Sequence, residues 1–410
     1  MEFFKVLSLS EMKSLFLDLN FKFKVKQVKL SDSCFRVSAE DVVASHSWPL
    51  ANRSTMDGYA LQSKDTFGAS ETNPVYLKIK GDLKIDEHPD FELKSGECVG
   101  IVTGGLLPKG ADSVLMLEYT ERLGKTLEVK KSVHPQENII LVGEDFEQGE
   151  KILSHGTRIN FKHIGALATL GIDKLKVYEK PNVGIISTGD ELIDIDKMPC
   201  LGQVRDVNSY TLQALLAKEH LEATVYPLVK DDKKQLINRI ELALSENDVV
   251  LLSGGSSVGT RDLTLEVLQE MGGAQVLFHG LALSPGKPTL LVKIGEKFVF
   301  GLPGQVTSVQ IVFMVVVSPF LRILEGEKQV FKNNWSCKLK AILTRNIASV
   351  PGRFQLVRVR LEQKNDQYMA TPILGKSGLI KPLFLADGLL PIADNLEGIK
   401  AGTLVEVWKF

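Results

Sequence analysis

Apolar positions recur at helical spacing in LSEMKSLFLDLN (Leu9 to Asn20) and again around Ala39 to Val43, so both stretches are predicted to be helices. From about Ser47 to Gly143 the period falls to two. Short alternating segments (VYLKIK, SVLMLEY, TLEVKKSV) stand between clusters of Gly, Pro and Asp, the pattern of a small β domain. Helical spacing returns from Phe161 to Leu170 and stops at Gly171, where a left-handed cap is expected.

From Pro181 strands and helices alternate four times. VGIIS precedes SYTLQALLAKEH, and ATVYPLV precedes KQLINRIELALSE. DVVLLS then precedes LTLEVLQEM, and FVFGL precedes VTSVQIVFMVVVSPFLRIL. Apolar strands without alternation, each paired with an amphipathic helix, predict a parallel sheet covered on both faces. After Gly326 the segments WSCKLKAIL, FQLVRVRL and TLVEVWKF predict a small barrel or sandwich. The expected class is α/β multidomain, with a central doubly wound parallel-sheet domain at 181–326. A β-rich domain at 47–143, a helical linker region from 1–46 and 144–180, and a small C-terminal β domain at 327–410 complete it.

Length and charge narrow the function. A chain of 410 residues exceeds what one core supports, which agrees with several domains. Lys+Arg 49 against Asp+Glu 50 leaves a net charge of -1, so no broad basic face is expected for nucleic acid or a membrane. Any anion site must be local. Cys34, Cys98, Cys200 and Cys337 are too scattered for a metal knuckle or redox pair. The N-terminus lacks a secretory pattern, and the longest apolar run, Ile311 to Val317, falls short of a span of about 20 residues. A cytoplasmic protein is expected.

Unusual residues gather after the strands, where open α/β sheets bind ligands. Ser187-Thr188-Gly189-Asp190-Glu191 follows the first strand, and Asp231-Asp232 the second. Ser253-Gly254-Gly255-Ser256-Ser257-Val258-Gly259-Thr260-Arg261-Asp262 follows the third, and Gly301-Leu302-Pro303-Gly304 the last. Glycines admit backbone N–H groups close to an anion, and a following helix adds partial positive charge. Neither a Walker A loop nor G-x-G-x-x-G is present. The SGGSSVG loop also suits a plain strand-to-helix turn, and the acidic residues also suit helix caps. Three acidic clusters on one edge favour a cation among them, and hard oxygen donors suggest Mg²⁺. Lys287, in Ser284-Pro285-Gly286-Lys287-Pro288, offers an oxyanion contact. Asp57, in a polar loop from Asn52 to Ala60, reads as an Asp-Gly turn or as a functional carboxylate, and Thr103-Gly104-Gly105 reads first as a turn.

Taken in order, STMDGYAL, IVTGGLLPKGADSVLMLE, NIILVGEDFEQGE, VGIISTGDELI, LLSGGSSVGTRD, PGKPTLL, VFGLPG, GRFQLVRVRL and KSGLIKPLFLADGL resemble the molybdopterin molybdenumtransferases, the molybdenum insertases related to part of gephyrin. The resemblance spans Ser47 to the C-terminus. It implies an elongated homodimer whose linker region dimerises, whose β-rich domain borders a cleft and whose α/β domain binds molybdopterin. The implied reaction inserts molybdate, or tungstate, into adenylylated molybdopterin and releases AMP with help from Mg²⁺. The molybdopterin adenylyltransferase is a candidate partner.

Carried over by position, Asp57, Thr103 and Glu191 fall in the catalytic cleft. Asp190, Glu191, Asp231 or Asp232, and Asp262 would hold metal. Gly254, Gly255, Ser256, Ser257, Lys287, Gly301, Pro303 and Gly304 would bind substrate, with Arg353 and Ser377 arriving from the partner subunit's tail. Departures are Ser284, where many members carry Lys or Arg, Gly280 in place of a lysine, and Gln305-Val306 after GLPG. These predict a weaker or differently selective oxyanion site. GQVRDVNSYTL (Gly202 to Leu212) resembles a subgroup that accompanies standard insertases. A non-catalytic paralogue that binds or delivers cofactor is the alternative.

Overall fold

Ser8 opens helix α1 (Leu9–Asp18) with a reciprocal cap, accepting from the Glu11 N–H while the Glu11 carboxylate accepts from the Ser8 N–H. The computed structural model describes residues 6–254, 258–332 and 337–410, and for 258–262 only the backbone. Leu9, Met12 and Phe16 form the buried stripe of α1, and it faces the α/β domain. Phe16 packs edge-on against Phe320 with ring centroids 5.0 Å apart. Phe320 also meets Phe21, Phe298 and Phe300. Each buried phenyl contributes about 1.5–3 kcal/mol, so this aromatic knot fastens the N-terminus to the central domain.

The linker region combines its helices with short paired strands. Val25–Lys29 pairs antiparallel with Lys174–Tyr178, and Val42–Val43 pairs with Lys151–Leu153. The helix expected around Ala39 to Val43 is therefore absent: five residues are too few to nucleate one, and the strand partner takes the backbone. Helix α2 (Phe161–Thr169) is capped by Asn160 and ends before Gly171, which has φ 72°. Residues 47–143 hold a six-stranded sheet with two cores of their own.

In the α/β domain the strands are β1 (Val183–Thr188), β2 (Ala223–Val225), β3 (Val249–Gly254), β4 (Ala274–His279), β5 (Leu290–Ile294) and β6 (Lys297–Leu302). Their order is β2-β1-β3-β6-β5-β4. The four predicted strands are parallel; β5 and β4 extend the sheet antiparallel beyond β6. Helices α3 (Asn208–Lys218), α4 (Lys233–Glu246), α5 (Val258–Glu270), α6 (Val306–Val312) and α7 (Ser318–Leu324) accompany them. A π-turn at Phe313–Val317 joins α6 to α7, where Pro319 cannot donate to the carbonyl four residues before it. The continuous Val306–Leu324 helix is long and apolar enough to cross a membrane. It is 78% buried here and serves as the core helix.

The tail strands are β7 (Lys338–Leu343), β8 (Phe354–Lys364), β9 (Gln367–Pro372), β10 (Gly388–Ile392) and β11 (Leu404–Lys409). Pairings run β8-β9-β7-β11-β10 and return to β8, closing a small barrel.

Candidate active site

Because β2, β1, β3 and β6 run parallel, their carboxyl ends share one edge. The turns after β1 and β2 are clasped there. Thr188 Oγ1 donates to Asp231 Oδ1 at 2.9 Å, the Gly189 N–H donates to the Val229 carbonyl, and the Asp231 N–H points to Asp190 Oδ1 at 3.4 Å. Burial raises the Asp231 carboxyl above its ordinary value. The Thr188 hydrogen bond opposes this, and the charges of Asp190 and Glu191 add to the rise. Asp231 thus reaches the edge. Asp232 has another bond: its carboxylate accepts from the Gln235 N–H at 2.9 Å as the N-cap of α4, so of the two it is Asp231 that ties to the β1 turn. Among the described residues no three His, Cys, Asp or Glu side chains form a group that could hold a metal. The Asp262 side chain and Gly255, Ser256 and Ser257 lie outside the described residues.

Glycine roles separate as well. A Cβ on Gly254 would lie 3.2 Å from Thr188 Cγ2, so the end of β3 packs closely on β1. Gly301 lies inside β6, buried between its neighbour strands, and a Cβ there would meet Leu290 at 3.1 Å. Its lack of a side chain serves sheet packing. The loop after β6 runs from Pro303 to Gln305 and holds Gly304. Asn208, which the sequence did not single out, joins two of the turns. Its Nδ2 donates to Ser253 Oγ at 2.7 Å and to the Gly304 carbonyl at 3.0 Å. The signal was its place in GQVRDVNSYTL, at the start of a helix.

The tail reaches this edge within its own chain. Leu283–Ser284 pairs in parallel with β8, aligning Ser284 with Gln355 two residues beyond Arg353. The Thr307 N–H donates to the Ser377 carbonyl at 3.1 Å, and Thr307 Oγ1 to the Leu379 carbonyl at 2.9 Å. Arg353 and Ser377 were expected from the partner subunit; the same chain supplies both to the loops after β6 and before β5. Lys287 is exposed nearby, and Arg353 is exposed as well.

Asp57 stands apart. Its Oδ1 accepts from the Thr103 N–H at 2.7 Å and from Thr103 Oγ1 at 2.9 Å. Those bonds, the backbone one first, hold the exposed carboxyl below its ordinary value. Gly58 permits the turn, because a Cβ there would lie 2.0 Å from the Leu115 carbonyl oxygen. Among the described residues no hydrogen bond or ion pair joins 47–143 to the α/β domain or the tail barrel.

Such an edge, with its clasped carboxylates and a barrel docked beside its glycine loop, defines a ligand-binding α/β domain set in a larger frame. The models of the MoeA N-terminal region (domain I and II), of a probable molybdopterin binding domain and of the MoeA C-terminal region (domain IV) match residues 7–171, 184–323 and 340–410. The chain is 39% identical to a putative molybdopterin biosynthesis protein of Methanocaldococcus jannaschii, over 94% of this chain and 92% of that one. It is 31% identical to a molybdopterin molybdenumtransferase of Staphylococcus aureus over 93% and 90% of the two. A crystal structure of a MoeA molybdopterin biosynthesis protein from Pyrococcus horikoshii OT3 matches with a TM-score of 0.82 at 32% identity, covering 99% and 100%. The chain belongs to the molybdopterin molybdenumtransferase (MoeA) family, enzymes of molybdenum cofactor biosynthesis.

Proposed function

We propose that this chain, as a cytoplasmic homodimer, inserts molybdate, or tungstate in its place, into adenylylated molybdopterin and releases AMP. The molybdopterin adenylyltransferase is the expected supplier of that substrate. One observation carries this reading: the ligand edge has two signs. Asp190, Glu191 and Asp231 crowd the β1–β2 half. Residues 280–289, 303–307, 349–355 and 374–379, which lie at the other half, contain Lys287, Arg353 and Lys376 and no Asp or Glu. A molecule that needs both a metal cation and an oxyanion beside a phosphoanhydride suits such an edge.

Each role follows from position. Ser253 offers its hydroxyl and Gly254 and Gly304 their backbone N–H groups to phosphate, Pro303 shapes the turn, and Asn208 joins Ser253 to Gly304. Lys287, Arg353 and Ser377 attract the oxyanion. Asp190, Glu191 and Asp231, with Asp262, are the residues that would hold Mg²⁺, which when bound neutralises charge on the anhydride. Asp57 remains ionised, so it orients the attacking group more readily than it removes a proton.

The direct test supplies adenylylated molybdopterin and molybdate and follows AMP release with the metal content of the product. A delivery paralogue would bind the substrate and release no AMP. If the carboxylates share the cation, Asp262→Asn should raise the Mg²⁺ concentration needed for half-maximal AMP release by about tenfold, the loss of one charged ligand contact. An unchanged Mg²⁺ dependence would leave Asp262 as a helix-start residue only.

A further inference from the structure

Arg358 lies in β8 and is only 9% exposed. Its Nη2 donates to the Gly375 carbonyl at 2.9 Å, while Nε and Nη1 are buried without a hydrogen-bond partner. No described carboxylate forms an ion pair with it. Alternation along β8 puts Phe354, Leu356 and Arg358 on one face and Val357 and Val359 on the other. Leu356 and Phe354 belong to the core shared with the α/β domain, whereas Val357 and Val359 fill the barrel. The guanidinium therefore sits at the seam between barrel and α/β domain.

That seam carries the 375–379 segment. Gly375 passes so close to Pro382 that an added Cβ would lie 2.7 Å from its Cγ, and the Ser377 and Leu379 carbonyls are held by Thr307. The segment is thus pinned by Arg358 on one side and by the start of α6 on the other. A buried cation without a counter-charge is unfavourable, and burial pulls the Arg358 pKa below its ordinary value. Nothing described in the chain neutralises it, and the sequence around it contains no acid from 347 to 361 or from 373 to 386. A bound anion would supply the balancing negative charge.

We infer that Arg358 is a positioning residue for the oxyanion: its charge and its bond to Gly375 hold the 375–379 segment as one wall of a subsite for a tetrahedral oxodianion. The inference rests on the insertion reading and adds to it a buried source of positive charge on the strand that pairs with Ser284. Ser377 lies on that wall, and Arg358 favours the dianion from behind it through a medium of low polarity.

Molybdate alone and molybdopterin alone are titrated separately into the full-length chain and its variants. Arg358→Gln, which keeps a donor and removes the charge, should weaken molybdate binding about tenfold and leave molybdopterin affinity within about threefold. Arg358→Lys, which restores the charge, should recover molybdate binding to within about threefold of wild type. An equal loss for both ligands would show a merely structural role and overturn the inference, as would unchanged molybdate affinity in Arg358→Gln. Should Arg358→Gln fail to fold, Arg358→Lys decides alone, and its losing molybdate binding altogether overturns the inference. A wild-type chain that binds neither ligand would instead sink the insertion reading.

Discussion

Asp57→Asn should cut the single-turnover rate of AMP release by at least about a hundredfold, the scale of removing one charged group that acts in a transition state. The asparagine amide oxygen can still accept from the Thr103 N–H and Thr103 Oγ1, so the turn should keep its shape. What is lost is the charge. Molybdopterin affinity and the oligomeric state should stay at wild-type values, because Asp57 lies on a domain that makes no described hydrogen bond to the glycine loops. A rate within threefold of wild type at matched binding would remove Asp57 from the mechanism.

The pH dependence sharpens this expectation. Thr103 holds the Asp57 carboxyl below its ordinary value of 3.8. A depressed carboxyl is fully ionised above its unfolded pKa and loses that advantage only as the pH falls through the lower folded value. Asp57 should therefore impose no acid limb on the rate near neutrality. An acid limb in the neutral range that disappears in Asp57→Asn would assign it the role of a general base instead.

Much of the α/β edge was legible because the buried strands β1, β3 and β6 read as apolar runs with glycine at or just after their ends. The two strands that were missed carried a signal too. Gly295-Glu296 forms a two-residue link between β5 and β6, and Gly295 has φ 62°. The choice between Asp231 and Asp232 was less accessible, since it depends on Asp232 reaching forward to the Gln235 N–H. Least accessible was the origin of the tail contact. Thr307 and Ser377 lie far apart in sequence, and neither periodicity nor charge says whether such a contact closes within one chain or between two. The unpaired Arg358 was hidden for the same reason: in FQLVRVRL it reads as one basic residue in an alternating strand.

Mixing Arg353→Ala chains with Asp57→Asn chains should restore activity that neither homodimer has. In one protomer the α/β domain and the barrel form a single unit, sharing a core and joined by hydrogen bonds from Thr307 to the Ser377 and Leu379 carbonyls. Asp57 has no described bond to that unit. Around it Met56, Val102, Leu117 and Tyr119 are exposed by 38%, 40%, 51% and 37%, an apolar collar suited to a cover. The proposed dimer lets a second copy provide that cover, so each cleft would take Asp57 from one chain and Arg353 with Ser377 from the other. In a mixed dimer one cleft then has both residues intact, and the other has both replaced. With random pairing about half the dimers are mixed and one site in each works, so about a quarter of the wild-type rate should return. If the cleft were instead built within one chain, every site would carry one of the two lesions and the mixture would stay inactive. No recovery in a preparation shown to contain mixed dimers would therefore defeat the shared cleft, whereas recovery near a quarter would place Asp57 and Arg353 across the dimer from each other.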